Sequence, residues 1–71
     1  MSISKDSLTI NGEVYNYTFK FTVVSLLEYL GFKTDVLVVD YNGTILPREF
    51  WSQTEIKNKD TIELLTVAGG G

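Results

Sequence analysis

The 71-residue chain contains no cysteine and no histidine. Disulfides, thiolate or imidazole metal sites, and nucleophile–histidine catalytic systems are therefore excluded within it. Nine acidic residues against six basic ones leave a net charge of −3, and Lys5, Lys20, Lys33, Arg48, Lys57 and Lys59 stand singly, so no basic stripe exists to bind nucleic acid. A hydrophobic share of 44% suits one small core, at a length that leaves no room for a second. No apolar run approaches the roughly 20 residues of a membrane span, and Met1–Asp6 lacks a signal-peptide core, so a cytoplasmic protein is expected.

Residues 1–7 are polar and are expected to form a flexible N-terminal segment ahead of a domain over 8–67. Leu8-Thr9-Ile10 alternates apolar and polar, and Val14 to Phe21 resumes the alternation with aromatics. Between them Asn11-Gly12 tolerates the positive φ angles of a type I′ turn, which predicts a hairpin. The period then changes: Val23, Leu26, Leu27 and Leu30 fall on one face of a helix. Thr22 stands where an N-cap belongs and Gly31 where a left-handed C′ residue belongs.

Val36–Tyr41 is the most apolar run and is expected to be a central strand. Asn42-Gly43 predicts a second hairpin, with Thr44-Ile45-Leu46 as a short partner strand closed by Pro47. Arg48–Gln53 is read as one helical turn in which Phe50 or Trp51 plugs the core, and 55–60 as polar loop. Thr61–Val67 is the last strand, and 68–71 form a flexible glycine-rich tail. One amphipathic helix needs one apolar sheet face. The fold class is therefore α+β, a β-grasp: a mixed, curled sheet of four to five strands on one main helix, with the first and last strands parallel in its middle.

Chemistry has few places to sit. The nine acids are read as solvated, with no apolar pocket for a carboxylate pair and little concavity for a substrate. Gly69-Gly70-Gly71 is no phosphate loop, because no helix follows it. Its use as a thread through a narrow channel of a partner, presenting the terminal carboxylate, stands beside the alternative of an inert frayed end. The second feature is apolar surface. With Asp40 and Glu63 facing outward, strand parity places Leu37, Val39, Tyr41, Ile62 and Leu64 against the helix. Val38, Leu65, Val67 and some aromatics of 15–21 are left on the uncovered face, where such a patch marks a docking surface. Trp51 is assigned to structure.

Asn42-Gly43-Thr44-Ile45-Leu46-Pro47-Arg48-Glu49-Phe50-Trp51 resembles the N-G-x-x-(V/L)-P-R-x-x-W segment of the ThiS family, ubiquitin-like proteins related to MoaD. Lys59 to Gly71 resembles that family's G-D-x-I-E-(I/L)-…-V-x-G-G ending, with Asn58 standing where glycine or another small residue is common. Leu8–Glu13 and Thr22–Gly31 are similar to its opening strand and its T-V-x-x-L-L-x-x-L-G helix, so the resemblance covers residues 8–71. It implies a sulfur carrier of thiamin biosynthesis rather than an enzyme. A ThiF-type enzyme using ATP and magnesium would adenylate the carboxylate of Gly71. A sulfur donor fed by a cysteine desulfurase would convert it to a thiocarboxylate, and thiazole synthase (ThiG) would accept the sulfur. Gly69 and Gly70 would thread the partner, no cofactor would be bound by the chain itself, and bacterial cytosol or plastid stroma would suit it. Three alternatives remain open at this point: the small subunit of molybdopterin synthase, a ubiquitin-like modifier, and an interaction module with an inert tail. The Pro47-Arg48-…-Trp51 segment favours thiamin over molybdopterin, and the apolar Val67-Ala68 before the glycines weakens the modifier.

Overall fold

The computed structural model describes residues 5–66. Asp6–Ile10 (β1) and Glu13–Tyr17 (β2) form the first hairpin, in register from Asp6 opposite Tyr17 to Ile10 opposite Glu13. Both turn residues have positive φ, 50° at Asn11 and 85° at Gly12, as a two-residue I′ turn requires. Strand β1 starts at Asp6, two residues ahead of the alternating run.

Val23–Leu30 is the helix α1. The Thr22 hydroxyl accepts from the Ser25 amide at 3.2 Å, and Gly31 ends the helix at φ 80° with its amide on the Glu28 and Leu27 carbonyls. The first-turn amides that a cap leaves free are taken up from elsewhere in the chain: Val23 donates to Thr54 O at 2.9 Å and Val24 to Trp51 O at 3.2 Å.

Leu37–Tyr41 (β3) and Thr44–Leu46 (β4) form the second hairpin about Asn42 and Gly43, whose φ angles are 53° and 90°. Val36 falls outside the strand, in a short 3-10 turn over Thr34–Val36. The last strand is Asp60–Thr66 (β5). The five strands form one mixed sheet in the order β2-β1-β5-β3-β4. Strands β1 and β5 are parallel, Leu8 beside Asp60 and Ile10 beside Ile62, while β3 and β5 are antiparallel. One helix on one face of this sheet is the ubiquitin-like β-grasp. The expectation that β3 is central is corrected: β5 holds the middle and β3 lies one place from the edge. Pairing on both sides lets β5 bury Ile62 and Leu64 completely enough to organise the core.

The core joins Leu8 and Ile10, Leu37 and Val39, and Ile62 and Leu64 to Val23, Leu26 and Leu27 of α1. Trp51, 3% exposed, closes its end, whereas Phe50 lies outside. The indole N–H donates to Leu46 O at 3.0 Å, and the Arg48 guanidinium covers the ring at 4.9 Å while donating to Thr34 O. Pro47 and Arg48 thus fold the crossing segment back under the sheet. The stretch 55–60 is not wholly polar loop in character: Ile56 is buried in the core, its amide on Phe21 O at 2.9 Å.

Candidate functional site

The site is built from two strands. In the β3–β5 register Val38 stands directly opposite Leu65, and Asp40 opposite Glu63. Their neighbours Leu37, Val39, Ile62 and Leu64 are buried against the helix, so period-2 alternation turns Val38, Asp40, Glu63 and Leu65 to the open face. Two of the expected docking residues are therefore a cross-strand pair, with Leu65 54% exposed. Val67, Gly69, Gly70 and Gly71 lie outside the described residues. Ile45, 55% exposed and directly opposite Asp40, extends the apolar surface onto β4. Sequence reasoning missed it, although the Asn42-Gly43 turn already implies that register.

The aromatics are corrected. Tyr15 pairs with Leu8 and Tyr17 with Asp6, so both project to the helix side of the sheet rather than the open face. Tyr17 packs edge-on against Phe21 with ring centroids 5.1 Å apart. Val14 and Asn16 are the outward residues of β2.

Asp60 is also corrected, since it is buried rather than solvated. Its carboxylate accepts from the Tyr41 hydroxyl, from Asn42 Nδ2 at 3.1 Å and from the Lys57 amide at 2.7 Å. Asn42 Oδ1 in turn accepts from the Thr61 amide at 2.8 Å, and Asn11 Oδ1 from the Leu64 amide at 2.7 Å. Both hairpin-turn asparagines thus hold β5 in place, and with it the strand that leads toward the tail. A charge enclosed this way is tolerated because several donors converge on it.

Burial first, and then the hydrogen bond to Asp60, pushes the Tyr41 phenol far above its ordinary 10.0. The folded protein holds this proton when the unfolded chain has lost it, so the stabilisation is full below pH 10.0 and declines as pH rises beyond it. Tyr17 shifts in the same direction, chiefly through burial. Urea unfolding across the alkaline range is expected to show this decline, and Tyr41→Phe to soften it without abolishing it. An identical alkaline slope in the variant contradicts the assignment.

The described residues contain no group of three or more metal-type ligands, and no helix among them is long and apolar enough to cross a membrane.

The model of the ThiS family matches residues 8–71. The fold is similar to the crystal structure of the thiamine biosynthesis protein (ThiS) from Geobacter metallireducens, with a TM-score of 0.80 and 32% identity over 92% of this chain and 99% of that one. Among sequences, the uncharacterized protein ycf40 of Porphyra purpurea is 35% identical over 92% of each chain. That of Trieres chinensis is 39% identical over 87% of this chain and 85% of its own. A thiazole synthase of Paramagnetospirillum magneticum is 34% identical over 90% of this chain, which spans 20% of that protein. With the motif spacing, the sheet order and these likenesses in agreement over nearly the whole length, the chain belongs to the ThiS family.

Proposed function

We propose that this protein is a sulfur carrier for construction of the thiamin thiazole ring, bearing sulfur on the carboxylate of Gly71. Membership of the ThiS family and the thiamine-biosynthesis neighbours support a thiamin-related carrier. The observation that carries the finer reading is a family match that runs through to Gly71, in a sequence that follows the strand β5 whose Leu65 faces the open side with Val38.

A carboxylate resists nucleophiles until one oxygen becomes a leaving group. A ThiF-type enzyme with ATP and magnesium supplies that activation: a carboxylate oxygen of Gly71 attacks the α-phosphorus and pyrophosphate leaves. A sulfur nucleophile, drawn from a donor fed by a cysteine desulfurase, then adds to the acyl carbon and expels AMP. The thiocarboxylate passes its sulfur to thiazole synthase, a partner favoured by the occurrence of a similar segment within a thiazole synthase. The carrier itself binds no cofactor in this scheme, and bacterial cytosol or plastid stroma suits it. Gly69 and Gly70 enter the enzyme as a chain without β-carbons. Val38 and Leu65, extended by Ile45, dock the domain, with Val67 assigned to the same role from the alternation of the sequence alone. Asp40 and Glu63 are like charges directly opposite each other, and a cationic side chain of the activating enzyme between them relieves that repulsion.

Intact-protein mass spectrometry after incubation with a ThiF-type enzyme, Mg-ATP and a sulfur donor tests this directly. Replacement of one oxygen by sulfur, localised to Gly71 by fragmentation, is the expected result. An unchanged mass with an enzyme that loads another carrier refutes it. Leu65→Asp is expected to lower kcat/KM for adenylation by about 10- to 100-fold, as for a hot spot worth ~1.4–3 kcal/mol. Because Leu65 is more than half exposed, its thermal unfolding should be little changed. Unimpaired adenylation in that variant removes the open face from the docking surface.

A further inference from the structure

The two edges of the sheet differ. Strand β4 has only three residues and is closed by Pro47, whose missing amide stops further pairing. Strand β2 is an open edge of five residues, Glu13-Val14-Tyr15-Asn16-Tyr17, with no proline or lysine and a single charge. Exposed apolar side chains gather beside it: Val14, Tyr15, Phe19 and Tyr29, the last two 79% and 87% exposed. Between β2 and α1 lies an open groove of about 620 Å³, lined by Leu8, Tyr15, Tyr17, Phe19, Leu26 and Tyr29 among others. Tyr17 is packed against the core, but Glu13 and Tyr15 on the same helix-side face of β2 are exposed.

The backbone groups available on this edge follow from the register. Ser7 directs its amide to Asn58 Oδ1 at 2.9 Å and its carbonyl to the Lys59 amide at 2.6 Å, both toward β5. Alternation then turns Asp6, Leu8 and Ile10 to β2, where Tyr17, Tyr15 and Glu13 are their partners. The outward N–H and C=O groups of β2 are consequently those of Val14 and Asn16.

We infer that β2 pairs antiparallel with β2 of a second copy of this chain, about a two-fold axis through Tyr15. The strand is self-complementary in that register. Val14 meets Asn16 of the copy and Asn16 meets its Val14, so every outward group within the strand finds a partner. Tyr15 meets its own symmetry mate as a non-hydrogen-bonded pair, the closer of the two kinds. Glu13 faces Tyr17 of the copy rather than the other glutamate, so the one charge of the strand opposes no like charge. The sheet becomes ten-stranded with both helices on the same side, and the two aromatic grooves meet across the axis. This placement covers Tyr15, Phe19 and Tyr29, while the open faces built on β3 and β5 remain clear in both copies.

Sedimentation equilibrium and a single-cysteine scan on the full chain test the pairing, the natural sequence being free of cysteine. The wild-type protein is expected to be a dimer. Tyr15→Lys, which sets two ammonium groups opposite each other on the axis, should weaken association at least about tenfold, ~1.4 kcal/mol, with circular dichroism showing the fold retained. Tyr15→Cys should form a disulfide-linked dimer on mild oxidation, and Leu65→Cys should not; this pair decides the matter should Tyr15→Lys fail to fold. A wild-type protein that is monomeric at about 1 mM, a dimer indifferent to Tyr15→Lys, or cross-linking through Leu65→Cys in place of Tyr15→Cys overturns the pairing. A monomer that instead captures an extended peptide along β2 assigns the edge to another protein.

Discussion

Gly70→Ala is expected to abolish thiocarboxylate formation while leaving the domain folded. The proposed thread through the activating enzyme has no room for a β-carbon. Even a modest clash of ~2.7 kcal/mol in the transition state slows adenylation about 100-fold. The fold should not respond, because the core members and strand pairs among the described residues, as far as Leu64 and Thr66, do not depend on residue 70. Two measurements separate the effects: the pyrophosphate-exchange rate with the ThiF-type enzyme, which should collapse, and the thermal midpoint, which should stay where it is. Sulfur loading at the wild-type rate eliminates the threading argument. A lowered midpoint would instead place residue 70 in the structure of the domain.

The second large effect is on stability. Asp60→Ala removes the acceptor shared by the Tyr41 hydroxyl, the Asn42 side-chain amide and the Lys57 amide. Leaving such donors unsatisfied beside the core is expected to cost about 2–4 kcal/mol. For a domain of this length that is a fall in Tm on the order of 10–25 °C. Glu63→Ala, on the same strand but exposed, should cost less than about 0.5 kcal/mol. Equal midpoints for the two variants contradict the role given to Asp60.

Local signals in the sequence were enough for most of the elements. Asn11-Gly12 and Asn42-Gly43 announce their hairpins because few residues other than Asn and Gly accept two consecutive positive φ angles. Thr22 and Gly31 bracket α1 through cap chemistry that acts within one turn. Strand parity also sufficed to place Val38 and Leu65 on the open face. That they oppose each other depends on the β3–β5 register, between strands that are not consecutive in the chain. Asp60 shows where local reasoning stops. Its donors come from three separate positions, and nothing in the neighbouring residues distinguishes it from a solvated aspartate. Ile56 is similar: a lone apolar residue in a polar stretch has no period, and only the crossing beneath the sheet makes it core. The aromatics of β2 are a different case, because counting outward from Ile10 and Glu13 would have turned Tyr15 and Tyr17 toward the helix.

The parallel contact of β1 with β5 also governs the order of events in folding. Ser7 and Asn58, whose side chain accepts the Ser7 amide, are separated by 51 positions. The first hairpin, the helix and the second hairpin can each begin to form from near neighbours, but β1 and β3 belong to one sheet only through β5, which lies between them. The entropy of closing that loop is paid before the contact rewards it, so this pairing is expected to follow the local hairpins and helix. A partly synthesised chain without β5 would lack the strand that joins the two halves of the sheet. Folding and presentation of the carrier end are thereby coupled: the strand that completes the domain is the one that leads to the proposed cargo-bearing group, so an unfinished domain has no end to offer an activating enzyme.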